Sequence, residues 1–175
     1  MTRLSPPLQK FVLHWGEMGT RWGISRSVAQ IHALLFLSPR PLTAEEIADT
    51  LSVARSNVST SLRELQAWGL VRVVHILGDR RDHFQALKDV WEMFQLILDG
   101  RKRREVDPTL AVLRECVGQG PSASIDAESR ERLMELLGFF EMTTGWYEQV
   151  RRLPRPTLTR FIRMGDRVTR LLGRS

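Results

Sequence analysis

The sequence predicts a mainly α fold with one small β-hairpin. Three observations predict it. Residues 41–67 read PLTAEEIADTLSVARSNVSTSLRELQA, a short capped helix, a tight turn and a longer helix. The β-branched run LVRVVHIL and its return HFQAL follow at once, separated by GDRRD. Outside this stretch, apolar residues recur at helical spacing in segment after segment. The order inside residues 41–87 is that of a helix-turn-helix with a β-wing, and the flanking helices are what carries and pairs it.

Composition bounds the partners. The chain has 175 residues, 42% of them hydrophobic, which suits one domain or two small ones with a real core. The net charge is +6 and arginine supplies most of it, since lysine occurs only at Lys10, Lys88 and Lys102. That balance favours a polyanionic partner, and arginine suits phosphate and guanine edges better than lysine does. Cys116 is the sole cysteine, so no intrachain disulfide is available. A redox role for it needs a resolving thiol, and a buried helix position is the plainer reading. MTRLSPPLQK has no apolar signal region and no run reaches transmembrane length, so a cytoplasmic protein without membrane contact is expected.

Leu8, Phe11, Val12 and Trp15 share one face of a first helix reaching about Gly19. Gly16, Gly19 and Gly23 loosen the chain, with a break near Gly23. This helix packs either within its own domain or on a second subunit. Ser25 is positioned to cap a second helix bearing Val28, Ile31, Leu34 and Leu35, which SPRP ends. Thr43 and Glu46 form a capping box for the third, whose buried face is Ile47 and Leu51.

Ser52-Val53-Ala54 makes the turn, and its chemistry is weak. Glycine suits the tight position better than Ser52, and Ala54 has no oxygen with which to cap. In the helix Arg55 to Trp68, Val58, Leu62 and Leu65 lie on one side. Ser56, Thr60 and Arg63 lie opposite, flanked by Asn57 and Ser59. Small hydroxyl residues allow close approach to a groove, while Asn and Arg bond base edges in pairs. A plain solvated face has the same composition, and the basic hairpin that follows favours the nucleic-acid reading. Gly69 ends the helix. Arg80 and Arg81 sit near the hairpin tip, one expected to be structural and the other to face a phosphate or the minor groove.

Asp89 or a neighbour opens a long helix with Trp91, Phe94, Ile97 and Leu98 in its stripe. Arg101-Lys102-Arg103-Arg104 reads as a solvated face, and Asp107-Pro108 as a kink or restart before Leu110, Leu113 and Val117. GQGPSAS is a loop. Asp126 caps a further helix with Leu133, Leu136, Leu137, Phe140 and Tyr147 apolar, stopped by LPRP. A last helix would carry Leu158, Phe161, Ile162, Val168, Leu171 and Leu172, with arginines at 160, 163, 167, 170 and 174. A small winged module cannot bury all these stripes, so a helical dimer interface is expected. The organisation is then residues 1–23 as an N-terminal helix for packing or dimerisation, 24–88 as the winged module, and 89–175 as a helical dimerisation region.

From about Gly16 through Phe94 the chain resembles the GbsR-like branch of the MarR-type transcriptional regulators. The resemblance is carried by GTRWGISRSVAQIHALLFLSPRPLTAEEIADTL, RSNVSTSLRELQAWGLV, GDRRDHF and DVWEMF. Ser52 and Ala54 depart from the Gly and Ser more common in such turns. The resemblance implies a winged-helix homodimer on a pseudo-palindromic operator, with half-sites about 34 Å apart. It implies Arg55 to Trp68 as the recognition helix and Gly78 to Asp82 as the wing tip. Arg55, Ser56, Asn57, Ser59, Thr60 and Arg63, with Arg80 or Arg81, would then meet double-stranded DNA, most simply for repression. Some relatives answer to small molecules. Trp22, Trp91, Trp146 and Tyr147 could cage a small-molecule effector by cation–π attraction, although they also fit plain core positions. A winged helix that binds another protein through the same face is the competing reading.

No cofactor is expected. His14, His32, His75 and His83 make no metal-spaced pair with Cys116. Neither a glycine-rich phosphate loop nor a nucleophile elbow occurs, which argues against an enzyme.

Overall fold

The computed structural model describes residues 4–118, 125–160, 162 and 164. The chain divides into two compact units, Met1–Ile97 and Leu98–Ser175. The expected GQGPSAS loop beyond Gly118, and most of the last helix, lie outside the described residues.

The first unit opens with α1 (Pro6–Arg21), packed on α2 (Arg26–Leu37). Helix α1 runs past Gly16 and Gly19, which therefore do not loosen it. They let α2 come close: a Cβ on Gly19 would stand 2.5 Å from that of Ala29. Only Gly23 breaks the chain, at φ +74°. Ser25 occupies the cap position of α2, but its side chain makes no cap bond. The next segments are β1 (Leu42–Thr43), α3 (Ala44–Leu51) and α4 (Arg55–Ala67), then β2 (Val71–Ile76) and β3 (Asp79–Ala86).

The sheet order is β1-β3-β2, antiparallel throughout. Strand β1 is not evident in the sequence, because two residues carry no period. It forms because Thr43 and Leu42 pair with His83 and Phe84, tying the entry of α3 to the return strand. The core lies between α2, α3, α4 and the sheet, with Ile31, Leu35, Ile47, Val58, Leu62 and Leu65 almost wholly enclosed. Each stabilises by about 1.5–3 kcal/mol relative to an exposed position.

Lys88 closes this unit. Its ammonium donates to the carbonyl oxygens of Leu35, Phe36 and Ser38 at 2.8, 2.6 and 2.7 Å, satisfying the C-terminal carbonyls of α2. Partial burial lowers its pKa. Asp89 then caps α5 (Val90–Arg101), accepting from the Trp91 and Glu92 amides at 3.0 Å each.

In the second unit the basic run does not end in a kink. Residues Lys102–Val106 form a π-helical turn that leads directly into α6 (Asp107–Gly118). Pro108 has no amide hydrogen and its ring crowds the carbonyl four residues back, so a wider turn keeps the helix continuous. Lys102 is not simply solvated, since its ammonium pairs with Asp107 at 2.7 Å and Glu148 at 3.5 Å. Helix α7 (Ala127–Val150) starts at Asp126, whose carboxylate accepts the Ser129 amide at 2.8 Å, and packs on α6.

Helix α7 is apolar on two opposite sides. Leu133, Leu137, Phe140 and Tyr147 lie on one side and are partly buried. Phe139, Met142 and Trp146 lie on the other, at 56, 65 and 57% exposure, and Leu136, expected among the packed residues, is at their margin and 44% exposed.

Candidate nucleic-acid interface

The site is built on α4 and the β2–β3 hairpin. Val58, Ser61, Leu62 and Leu65 anchor α4 in the core, and this fixes the outward face. Ser56, Asn57, Ser59, Thr60 and Arg63 are all exposed on it. The Arg63 guanidinium donates to the Thr60 hydroxyl at 3.4 Å, one turn back, and is otherwise extended towards solvent.

The turn before α4 has the weak geometry its residues imply. Ser52 ends α3 in the left-handed region at φ 54°, ψ 43°, where glycine costs least. Ala54 caps α4 without a side-chain bond. The capping box of α3 is complete: the Glu46 amide donates to Thr43 Oγ1 at 3.2 Å and the Thr43 amide to Glu46 Oε2 at 2.8 Å. The bond from Arg40 and those from Thr43 hold the Glu46 carboxyl down to about 2.

Glu45 performs a different task. Its Oε1 lies 2.8 Å from Arg55 Nη1 and its Oε2 lies 4.0 Å from Arg81 Nη1. One carboxylate therefore meets the first residue of α4 and the wing. The sequence reading missed Glu45; its one signal was an acidic residue in the first turn of α3, where the helix dipole favours it.

The hairpin differs from the expected GDRRD turn. The turn proper is Leu77-Gly78, with Gly78 at φ +87°, and Asp79 already pairs with Ile76. Arg80, Arg81 and Asp82 lie in an irregular stretch of β3 opposite His75, between the pairs Ile76–Asp79 and Val74–His83. Such a bulge turns successive side chains to different sides. Arg81 folds back on Asp79, with Nη2 to Oδ2 at 2.6 Å and Nε to Oδ1 at 3.0 Å. These bonds hold the Asp79 carboxyl well below its usual range and raise the Arg81 pKa. The buried His83 adds a contact of 3.4 Å from Nε2 to Asp79 Oδ2. Arg80 is exposed and makes no ion pair with the described residues. The two wing arginines are thus unlike: Arg81 is tied into the wing and Arg80 is presented.

The four aromatics considered for an effector divide between the units, with Trp22 and Trp91 in the first and Trp146 and Tyr147 in the second. Trp22 is exposed at the end of α1, Trp91 is partly buried in α5, and Trp146 is on the exposed side of α7. The Tyr147 hydroxyl donates to Asp99 Oδ1 at 2.8 Å, and burial with this bond raises its pKa. No group of three or more His, Cys, Asp or Glu is placed for a metal among the described residues. No helix among them is long and apolar enough to cross a membrane. Cys116 is partly buried on α6.

An exposed polar helix beside a basic hairpin, on a three-helix core, defines a winged helix-turn-helix domain. Residues 22–82 match the model of the MarR family. The chain is 22% identical to the HTH-type transcriptional repressor GbsR of Bacillus subtilis (strain 168) over 136 residues, 75% of each chain. A solved structure described as a transcriptional regulator matches at TM-score 0.55 with 21% identity, covering 82% of this chain and 99% of that one.

Proposed function

We propose that the chain is a sequence-specific DNA-binding transcriptional regulator, acting as a homodimeric repressor. The observation that carries this is the exposed Ser56, Asn57, Ser59, Thr60 and Arg63 face of α4 beside the exposed Arg80. α4 enters the major groove, where Asn57 and Arg63 read base edges and the hydroxyls allow close approach. Arg80 reaches the backbone or the minor groove, and Arg81 shapes the wing that presents it. The relative named a repressor supports the sign of control: a bound dimer blocks a promoter that overlaps its operator. The exposed side of α7 supports pairing with a second copy, which sets two recognition helices about 34 Å apart. The cytoplasm is where such a protein meets its DNA.

Selection of bound genomic fragments by the purified full chain tests the reading. It should return an inverted repeat with half-sites one helical turn apart, close to a promoter. Recovery of fragments without a shared motif, or no retention of duplex at low salt, would refute sequence-specific binding and favour a protein partner for this face.

A further inference from the structure

Glu45 stands where a protein that binds a polyanion would not be expected to carry a negative charge. It is exposed, on the side of α3 that faces the start of α4 and the wing. Its two oxygens are divided between two cations, Arg55 at 2.8 Å and Arg81 at 4.0 Å. Arg55 opens α4, where the helix dipole makes a positive charge unfavourable and a nearby anion helpful. Ala54 supplies no cap oxygen at that end. All three side chains are at least half exposed, so the pairs are weak and solvent-screened. Such pairs are readily exchanged for a stronger anion.

We propose that Glu45 is a counter-charge residue, holding Arg55 at the start of α4 in the free protein and yielding it to a backbone phosphate when a duplex docks, while Arg81 stays on Asp79. The inference rests on the DNA-binding reading above and adds how the binding strength is set. In the free state the carboxylate occupies the place of a phosphate at the junction of helix and wing. Docking then exchanges one anion for another, so part of the electrostatic gain is already spent. Glu45 therefore limits sequence-independent binding, which is almost wholly electrostatic. It contacts no base and acts only through Arg55.

The test uses the full chain and a short random-sequence duplex, titrated over a range of NaCl concentrations. Glu45→Gln keeps the shape and removes the charge. It should bind the random duplex more tightly than the parent protein at each salt concentration. The plot of log affinity against log salt should steepen by at most about one unit, because Arg55 no longer has to leave a carboxylate to meet its phosphate. In an Arg55→Ala background the same substitution should change neither quantity. A merely structural role would move binding the other way. If Glu45→Gln lowers the melting temperature, Glu45→Asp carries the test, because its shorter reach loosens the hold on Arg55 and should give an intermediate gain. A parent that binds duplex while neither variant binds it more tightly overturns the role of Glu45 alone. A parent that fails to bind duplex at low salt overturns the DNA-binding reading itself.

Discussion

Arg63 and Arg80 are both exposed arginines, yet they should fail differently. Arg63 is on the exposed face of α4 proposed to meet base edges. Arg63→Ala should cost about 1–3 kcal/mol on the selected operator and relax preference at one base position. Arg80→Ala should weaken all duplexes alike and reduce the salt slope by roughly one. Fluorescence anisotropy on operator and scrambled duplexes reads both, and equal effects of the two substitutions would cancel the division of roles. His32 is a residue of another kind. It is 5% exposed and its Nε2 has no hydrogen-bond partner. Burial, with the Lys88 cation adding to it, lowers its pKa from 6.5 to about 4. The unfolded chain therefore takes up the proton first as pH falls through 6.5. Stability drops over that window and levels off below about pH 4, by on the order of 3 kcal/mol. Denaturant melts at pH 7 and pH 4.5 should show this loss in the parent and a smaller one in His32→Leu. An equal loss in both would place the acid sensitivity elsewhere.

At the scale of elements, the signals that survive are those with a local physical cause. The Thr43–Glu46 box, the helix face set by Val58, Leu62 and Leu65, and the break at Gly23 are all readable because neighbours in sequence act on each other. Strand β1 is held by pairing with residues some forty positions away, so nothing local announces it. The same holds for Lys88, a lone lysine whose three acceptors lie at the end of α2. The wing was legible as a basic hairpin, but the division between Arg80 and Arg81 depends on a bulge that the residues do not encode locally. The missing cap of α4 was legible, and it makes a prediction. Ala54 has extended dihedrals, φ −61° and ψ 139°, suited to an N-cap. Ala54→Ser should raise stability by about 1 kcal/mol in urea unfolding, through a bond to an amide of the first turn. A lower midpoint would show that the hydroxyl is not accommodated there.

For the whole molecule, the decisive element is α7. Its sequence suggested one apolar stripe, and the structure leaves a second set of apolar side chains exposed, with Leu136 at the margin of the packed side, three residues from Leu133. The second side, with Phe139, Met142 and Trp146, is what a second copy would cover. Phe139→Glu should convert the protein to a monomer in sedimentation velocity while leaving its far-ultraviolet circular dichroism unchanged. Operator affinity should fall with it, because two half-sites are then no longer bound as one. A Phe139→Glu protein that still sediments as a dimer would move the interface off this face.

The cations gathered around the reading face, Arg55, Arg63, Arg80 and Arg81, are all arginines. The three lysines lie elsewhere, with Lys88 clasping carbonyl oxygens and Lys102 in ion pairs. An arginine keeps its charge at every physiological pH and is not a substrate for acetylation. Lysine acetyltransferases therefore have no handle on these four charges, and a modest change of pH does not discharge them. Any control over these four charges has to come from where the side chains are held.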